Sequence, residues 1–192
     1  MEYLPALSAS LLTDPFYQSI TTDFSAAPAD RVRVLEHYFE YSFLEAQRTG
    51  RCIVAPREQD GAAAWLLPRS DAVNSAETQA KNAFLAEVLG PKGNLNYHRI
   101  IDFMSPRAAE HVPADAWYLT IVGVNPKAQG NGLGKALLRP TLDEMDSCRA
   151  VAYLETFSIR NRSFYERLGF RTVAEYLEPT TTASYALMRR DS

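Results

Sequence analysis

The stretch Trp117 to Val124 (WYLTIVGV) is the strongest strand signal in the chain, and it runs through a glycine-rich turn directly into a helical pattern. Pro126 ends the strand, Gly130, Gly132 and Gly134 follow, and Leu133, Leu137, Leu138 and Leu142 form the apolar stripe of the helix. Pro140 lies inside that stripe and is expected to kink or shorten the helix. A strand, a bare turn and a helix start in this order make an anion site. The first amides of a helix have no partner within it, and the helix start carries about half a positive charge. Glycines remove the side chains that would keep a phosphate away from those amides.

Spacing narrows the ligand. The dinucleotide fingerprint G-x-G-x-x-G is not met, because the glycines run G-x-G-x-G and Lys135 follows. A Walker loop needs a glycine where Gln129 stands and a Ser or Thr where Ala136 stands, which rejects an ATP-type P-loop. What remains is Gln-x-x-Gly-x-Gly after a strand.

The other elements follow from local patterns. Residues 1–24, with Pro5 and Pro15, read as an arm. Ser25 to Gly50 reads as a helix with Val32, Leu35, Phe39 and Phe43 on one face. Arg51–Pro56 and Ala62–Leu67 read as a hairpin around the turn Glu58–Gly61. Residues 75–89 read as a helix with Ala76, Ala80, Ala83, Phe84 and Val88 inward, broken at Pro91, Gly93 and Asn94. A weaker helical stretch over 95–111 is interrupted by Pro106. Val151–Thr156 is a strand, Asn161–Leu168 a short helix stopped by Gly169, and Phe170–Tyr176 with Ser184–Arg189 a last hairpin. Ser163 and Glu166 stand at capping-box spacing and place that short helix's start near Ser163. The order implies a mixed α/β (α+β) sheet in one domain over 1–192.

Composition excludes several classes. The formal net charge of −3 lacks the basic excess of a nucleic-acid binder. No apolar run approaches the ~20 residues that span a bilayer, and the start has no signal-peptide pattern, so no membrane partner and a cytoplasmic location are expected. His37, His98 and His111 are scattered, so no metal is expected. Cys52 and Cys148, each beside a strand start, are expected to be buried packing residues.

With Gln129, Gly132 and Gly134 in that frame, the chain resembles the GNAT superfamily of acyl-CoA-dependent N-acetyltransferases, whose pyrophosphate loop reads Q/R-x-x-G-x-G/A. Asn161-Arg162-Ser163-Phe164-Tyr165 with Gly169-Phe170 is similar to the family's second signature. The strand Tyr153–Thr156 and the hairpin strand Gly61–Leu66 are similar to family elements too. The likeness is specific over about residues 115–175, moderate over 51–68 and weak elsewhere.

The resemblance implies a mostly antiparallel central sheet of about six or seven strands with a splayed central parallel pair, flanked by helices. Residues 25–115 would form the acceptor side and first hairpin, and 116–192 the acetyl-CoA-binding core and last hairpin. Acetyl-CoA is the implied cosubstrate. The amides of Gln129, Gly130, Asn131, Gly132, Leu133, Gly134 and Lys135 would cradle its pyrophosphate. Val122, Gly123 and Val124 would pair with the pantetheine arm as an added strand does, and an amide near Val122 would polarise the thioester carbonyl. Asn161 would bond the cofactor's amide region. Tyr165 would protonate the departing thiolate.

An amine attacks the thioester directly, so no enzyme nucleophile is needed. Some family members carry a glutamate base on the cofactor strand, but Trp117–Val124 holds no acid. Glu155 on the neighbouring strand is the candidate base.

Each of these residues has a plainer alternative. Asn161 could be a helix cap, Tyr165 a core residue and Glu155 an ion-paired strand residue. Trp65 and Trp117 read as packing. His37, Tyr38 and Tyr41 lie on the first helix, which borders the acceptor site in the family. Lys127 and Lys135 are placed near the turn, and Arg189-Arg190 reads as a solvated tail. The expected acceptor is a small-molecule amine. A protein N-terminus or lysine, and a CoA-binding sensor without turnover, stay open, as does a homodimer.

Overall fold

The computed structural model describes all residues, Met1–Ser192. In chain order the elements are α1 (Leu4–Leu11), α2 (Pro15–Ile20), α3 (Pro28–Thr49), β1 (Gly50–Val54), β2 (Gly61–Leu66), α4 (Asp71–Val88), α5 (Gly90–Ala109), β3 (Trp117–Val124), α6 (Leu133–Cys148), β4 (Ala152–Thr156), α7 (Ile159–Glu166), β5 (Arg171–Glu178) and β6 (Ala183–Arg190).

The six strands form one sheet in the order β1-β2-β3-β4-β6-β5. Every neighbouring pair is antiparallel except β3 with β4, which are parallel. This is the mixed sheet with a central parallel pair that the resemblance implies. Against β2, β3 carries one extra residue, because Ala64 faces Ile121 while Trp65 faces Leu119. Thr120 is therefore a bulge, and it resets the alternation of the strand. Leu119 packs with Trp65, Leu137 and Leu138 on one side of the sheet. Ile121, two residues on, packs with Phe39, Leu35 and Leu7 on the other.

Two apolar layers sandwich the sheet. α1 to α5 cover one face, with Leu35, Phe39, Phe43, Leu85 and Ile100 fully buried. α6 and α7 cover the other, with Leu137, Leu138, Leu142, Met145 and Tyr165. Trp65 and Trp117 are buried in the second layer, as expected for packing residues. No helix is long and apolar enough to cross a membrane.

Several local readings are corrected. The supposed arm over 1–24 is helical: Asp14 caps α2 by accepting from the Phe16 amide at 2.9 Å, with Pro15 in the first turn. Leu4, Ala6, Leu7, Tyr17 and Ile20 are buried, so tertiary packing holds these short helices. In α4 the expected inward alanines Ala76, Ala80 and Ala83 face solvent. Leu85 is buried instead, and Glu77 and Lys81 turn towards α3.

Pro91 and Gly93 do not separate two elements. They begin α5, whose Gly93 amide is held by the Asp23 carboxylate at 2.8 Å, and Gly90 makes the junction at φ 73°. Pro106 and Pro140 both lie inside unbroken helices. Each is exposed, so the carbonyl it leaves unpaired faces water. α7 starts at Ile159, with no cap from Ser163, because Asn161 closes a turn onto the Ser158 carbonyl at 3.1 Å.

Two side-chain expectations also change, while Cys52, half-buried, packs against the first apolar layer as expected. Cys148 is exposed at the end of α6. Arg189 and Arg190 are not a tail: they sit in β6, where Arg190 pairs with Asp146 at 2.7 Å and Arg189 with Asp191 at 2.6 Å.

Candidate active site

The parallel pair β3–β4 holds for only two rungs, Trp117 with Ala152 and Tyr118 with Tyr153. Beyond the second rung the strands part at their C-terminal ends, leaving one edge of β3 free next to the Thr120 bulge. The rings of Tyr118 and Tyr153 stack at 4.6 Å on the last rung, bracing the fork. A cleft of about 210 Å³ opens there. β3 and β4 give it Tyr118, Val122 and Glu155, α7 gives Asn161 and Tyr165, and α2, α3 and α4 give Tyr17, Tyr38 and Lys81.

Glu155 is enclosed in this cleft. Burial pushes its carboxyl up to about 7, partly opposed by the Tyr118 hydroxyl, which donates to Oε2 at 3.2 Å. Tyr165 is buried, 7% exposed, and its hydroxyl makes no hydrogen bond to protein. Burial, with Asp14 adding to it, holds the Tyr165 phenol above its usual range and therefore protonated. Asn161 is an exposed first-turn residue of α7 on the rim.

Asp14 was missed by sequence reasoning. It lines the same cleft, and burial raises its carboxyl to about 6 against the opposing pull of the Phe16 and Tyr17 amides. Its signal was the Asp-Pro pair, a cap followed by a first-turn proline. Of the first-helix candidates, Tyr38 lines the cleft, His37 faces solvent, and Tyr41 stacks on Phe84 at 4.5 Å.

At the far end of β3 the chain enters the glycine turn. Asn125 Oδ1 accepts from the Lys127 amide at 3.1 Å, fixing a 3-10 turn at Pro126–Ala128. The Gln129 side-chain amide donates to the Val124 carbonyl at 3.0 Å, so this residue ties the turn to the strand end. Gly130 and Gly132 adopt φ 82° and 78°, and a Cβ on either would meet no protein atom within 4 Å. The turn is thus an open concavity.

Gly132 caps α6 with no side-chain bond, and no acid lies in the first helical turn. The leading amides of this 16-residue helix are bare, the condition for receiving a diphosphate. Asn131 and Lys135 are exposed beside them, as is Lys127, while Leu133 is half-buried. Gly134 serves packing: a Cβ there would press on the Phe164 ring at 3.2 Å. Gly123 is needed for a different approach, because α1 crosses it and a Cβ would meet Ser10 and Leu7. Val122 and Val124 are half-buried, and Val122 faces the cleft.

A split parallel pair beside an open, uncapped helix start defines a GNAT-type fold. Comparison with known proteins agrees. Residues 94–172 match the family model described as an acetyltransferase (GNAT) domain. An uncharacterized N-acetyltransferase of Schizosaccharomyces pombe is 40% identical over 55 residues, 29% of this chain and 22% of that protein. The chain therefore spans about a fifth of the length of the curated relatives it matches.

A solved structure described as histone acetyltransferase HPA2 and related acetyltransferase, from Corynebacterium glutamicum, aligns with 100% of this chain and 90% of its own, with TM-score 0.65 and 21% identity. A Drosophila melanogaster polyamine N-acetyltransferase aligns with 100% and 94%, with TM-score 0.62 and 15% identity. These structural likenesses show the fold. Over residues 94–172 the sequence is similar to GNAT acetyltransferases, and the whole chain shares their fold.

Proposed function

We propose that this chain is an acetyl-CoA-dependent N-acetyltransferase that acts on a small amine by direct attack in a ternary complex. The observation that carries the reading is what lies along β3: its edge is free beyond Tyr118, a cleft holding Glu155 and Tyr165 opens at that fork, and the open glycine turn follows its C-terminal end. The N-acetyltransferase descriptions of the relatives support the reaction class.

In this reading acetyl-CoA supplies an activated acyl thioester. The bare amides from Gln129 to Lys135 hold its diphosphate, and the free edge of Val122, Gly123 and Val124 aligns the pantetheine arm. A backbone amide near Val122 faces the charge that grows on the acyl oxygen, worth about 3 kcal/mol in such sites. Glu155, poised at about 7, takes a proton from the incoming ammonium, directly or through water. The Tyr165 hydroxyl donates to the departing sulfur. Burial raises the cost of releasing its proton fully, so it acts first as a hydrogen-bond donor. Asn161, on the rim, contacts the cofactor's amide region.

The cleft favours a small acceptor. Its volume is about 210 Å³, and α2 and α3 cover it with Phe16, Tyr17 and Tyr38. Thiol release from acetyl-CoA with a panel of small amines, N-terminal peptides and lysine peptides tests the proposal. Acceptor-dependent release with the small amines is expected. CoA binding without release on any acceptor would leave a sensor.

A further inference from the structure

One buried ionic group faces the cleft without serving the transfer chemistry. Glu45 on α3 is 3% exposed, and it answers two cations at once. Its Oε1 pairs with Arg69 at 3.0 Å and its Oε2 with Lys81 at 3.2 Å. The Lys81 side chain is 15% exposed and that of Arg69 14%, so the trio keeps a net positive charge away from solvent. The neighbouring Glu77 carboxylate is bonded to Arg48 and reaches Arg69 and Lys81 only through space.

Holding excess charge away from water is costly, so a further anionic partner is expected. Lys81 has three N–H donors and spends one, on Glu45. It lines the cleft, 5.9 Å above the Tyr38 ring.

Between Lys81 and Asp14 the wall is aromatic. Tyr38 packs edge-on against Tyr17 at 5.8 Å and Phe16 at 6.2 Å, and Phe16 against Tyr97 at 6.3 Å. Asp14 holds the Phe16 amide, and Glu155 and Tyr165 line the same cleft. The cleft lining thus carries two acids, Asp14 and Glu155, and one cation, Lys81, with aromatic rings between Asp14 and Lys81.

We propose that the acceptor carries an anionic group, a carboxylate in the first instance, which completes the Lys81 cluster while its amine lies against Glu155 and Asp14. The acceptor class is then an amino acid with an apolar body between amine and acid, not a polyamine. A second cationic end would be repelled by Lys81. This rests on reading the cleft as the acceptor pocket.

Isothermal titration of the CoA-loaded full chain tests it. The probes are para-(aminomethyl)benzoate and ε-aminocaproate, each against its own methyl ester, with spermidine as the polyamine arm. At least one acid is expected to bind ten-fold or more tighter than its ester and tighter than spermidine. Lys81→Met should abolish that preference and Lys81→Arg restore it. No acid preferred over its ester, spermidine preferred over every acid, or a preference that survives Lys81→Met would overturn the inference. The wild-type acid-to-ester ratio decides the matter even if Lys81→Met does not fold. CoA itself failing to bind would sink the enzyme reading, an outcome read separately in the same titration.

Discussion

Glu155→Gln should make the protein more stable and less active, and the gain should grow with pH. Burial holds the Glu155 carboxyl at about 7 instead of the ordinary 4.5. Between those values the folded chain keeps a proton that the unfolded chain has lost. Stability therefore falls as pH rises from about 4.5 to about 7, and stays lowered above. The penalty at pH 8 is about 3 kcal/mol. Glutamine keeps the shape and an oxygen for the Tyr118 hydroxyl, but carries no charge to desolvate.

The variant should match the wild type near pH 4.5 and exceed it by about 3 kcal/mol at pH 8, roughly 6–12 °C in Tm for a domain of this size. Asp14, raised to about 6 by burial, titrates in both proteins and cancels in the difference. Urea unfolding at both pH values, followed by fluorescence of buried Trp65 and Trp117, measures it. Over the same range kcat/KM of the wild type should rise through about pH 7, and the variant should lose roughly 10²–10³-fold in rate. A stability difference that ignores pH, or a variant weaker than wild type at pH 8, would refute the buried-carboxylate argument.

Two further substitutions separate the proposed thiol-side donor from the proposed diphosphate turn. Tyr165→Phe should lower kcat by roughly 10²-fold with little change in stability, since the hydroxyl it removes has no protein partner to orphan. A wild-type rate under conditions where chemistry limits would remove Tyr165 from the reaction. Gly132→Val places a β-branched residue at φ 78°, which costs about 1–2 kcal/mol of stability, although its Cβ meets no protein atom within 4 Å. Its larger effect should be a rise of more than ten-fold in the acetyl-CoA KM, read in steady-state kinetics with Gly132→Ala as the milder step. A KM unchanged beside the expected stability loss would take the diphosphate away from this turn.

The elements that were legible are those whose signal is local. β3 announces itself by composition, the turn by three glycines, and α6 by a leucine stripe. Each property survives without knowledge of the rest of the chain. α1 and α2 were illegible because helices of 8 and 6 residues have little stability alone and form by burying Leu7, Tyr17 and Ile20 against α3 and β3. α4 was readable as a helix but its orientation was not. Small alanines at helical spacing suggest an inward stripe, yet this helix meets α3 through the ion pairs of Glu77 and Lys81, which composition alone assigns to solvent. Pro106 and Pro140 misled for a related reason: the rule against helical proline weakens on a face where water takes the freed carbonyl.

The same division runs through the site. The proposed cofactor half rests on backbone amides and absent side chains within one segment, a pattern that glycine spacing makes visible. The acceptor half depends on convergence: Asp14 from the start of α2, Tyr38 from α3, Lys81 from α4 and Glu155 from β4 meet around one cleft from four separate stretches of chain. No spacing rule links positions 14, 38, 81 and 155, and each residue alone reads as a cap, a core ring, a solvated charge or a strand acid. Their chemistry appears only when burial raises two carboxylates and leaves an ammonium with unspent donors. For this chain, acceptor choice is predicted to follow Lys81 and Asp14 more closely than anything in the segment from Gln129 to Lys135.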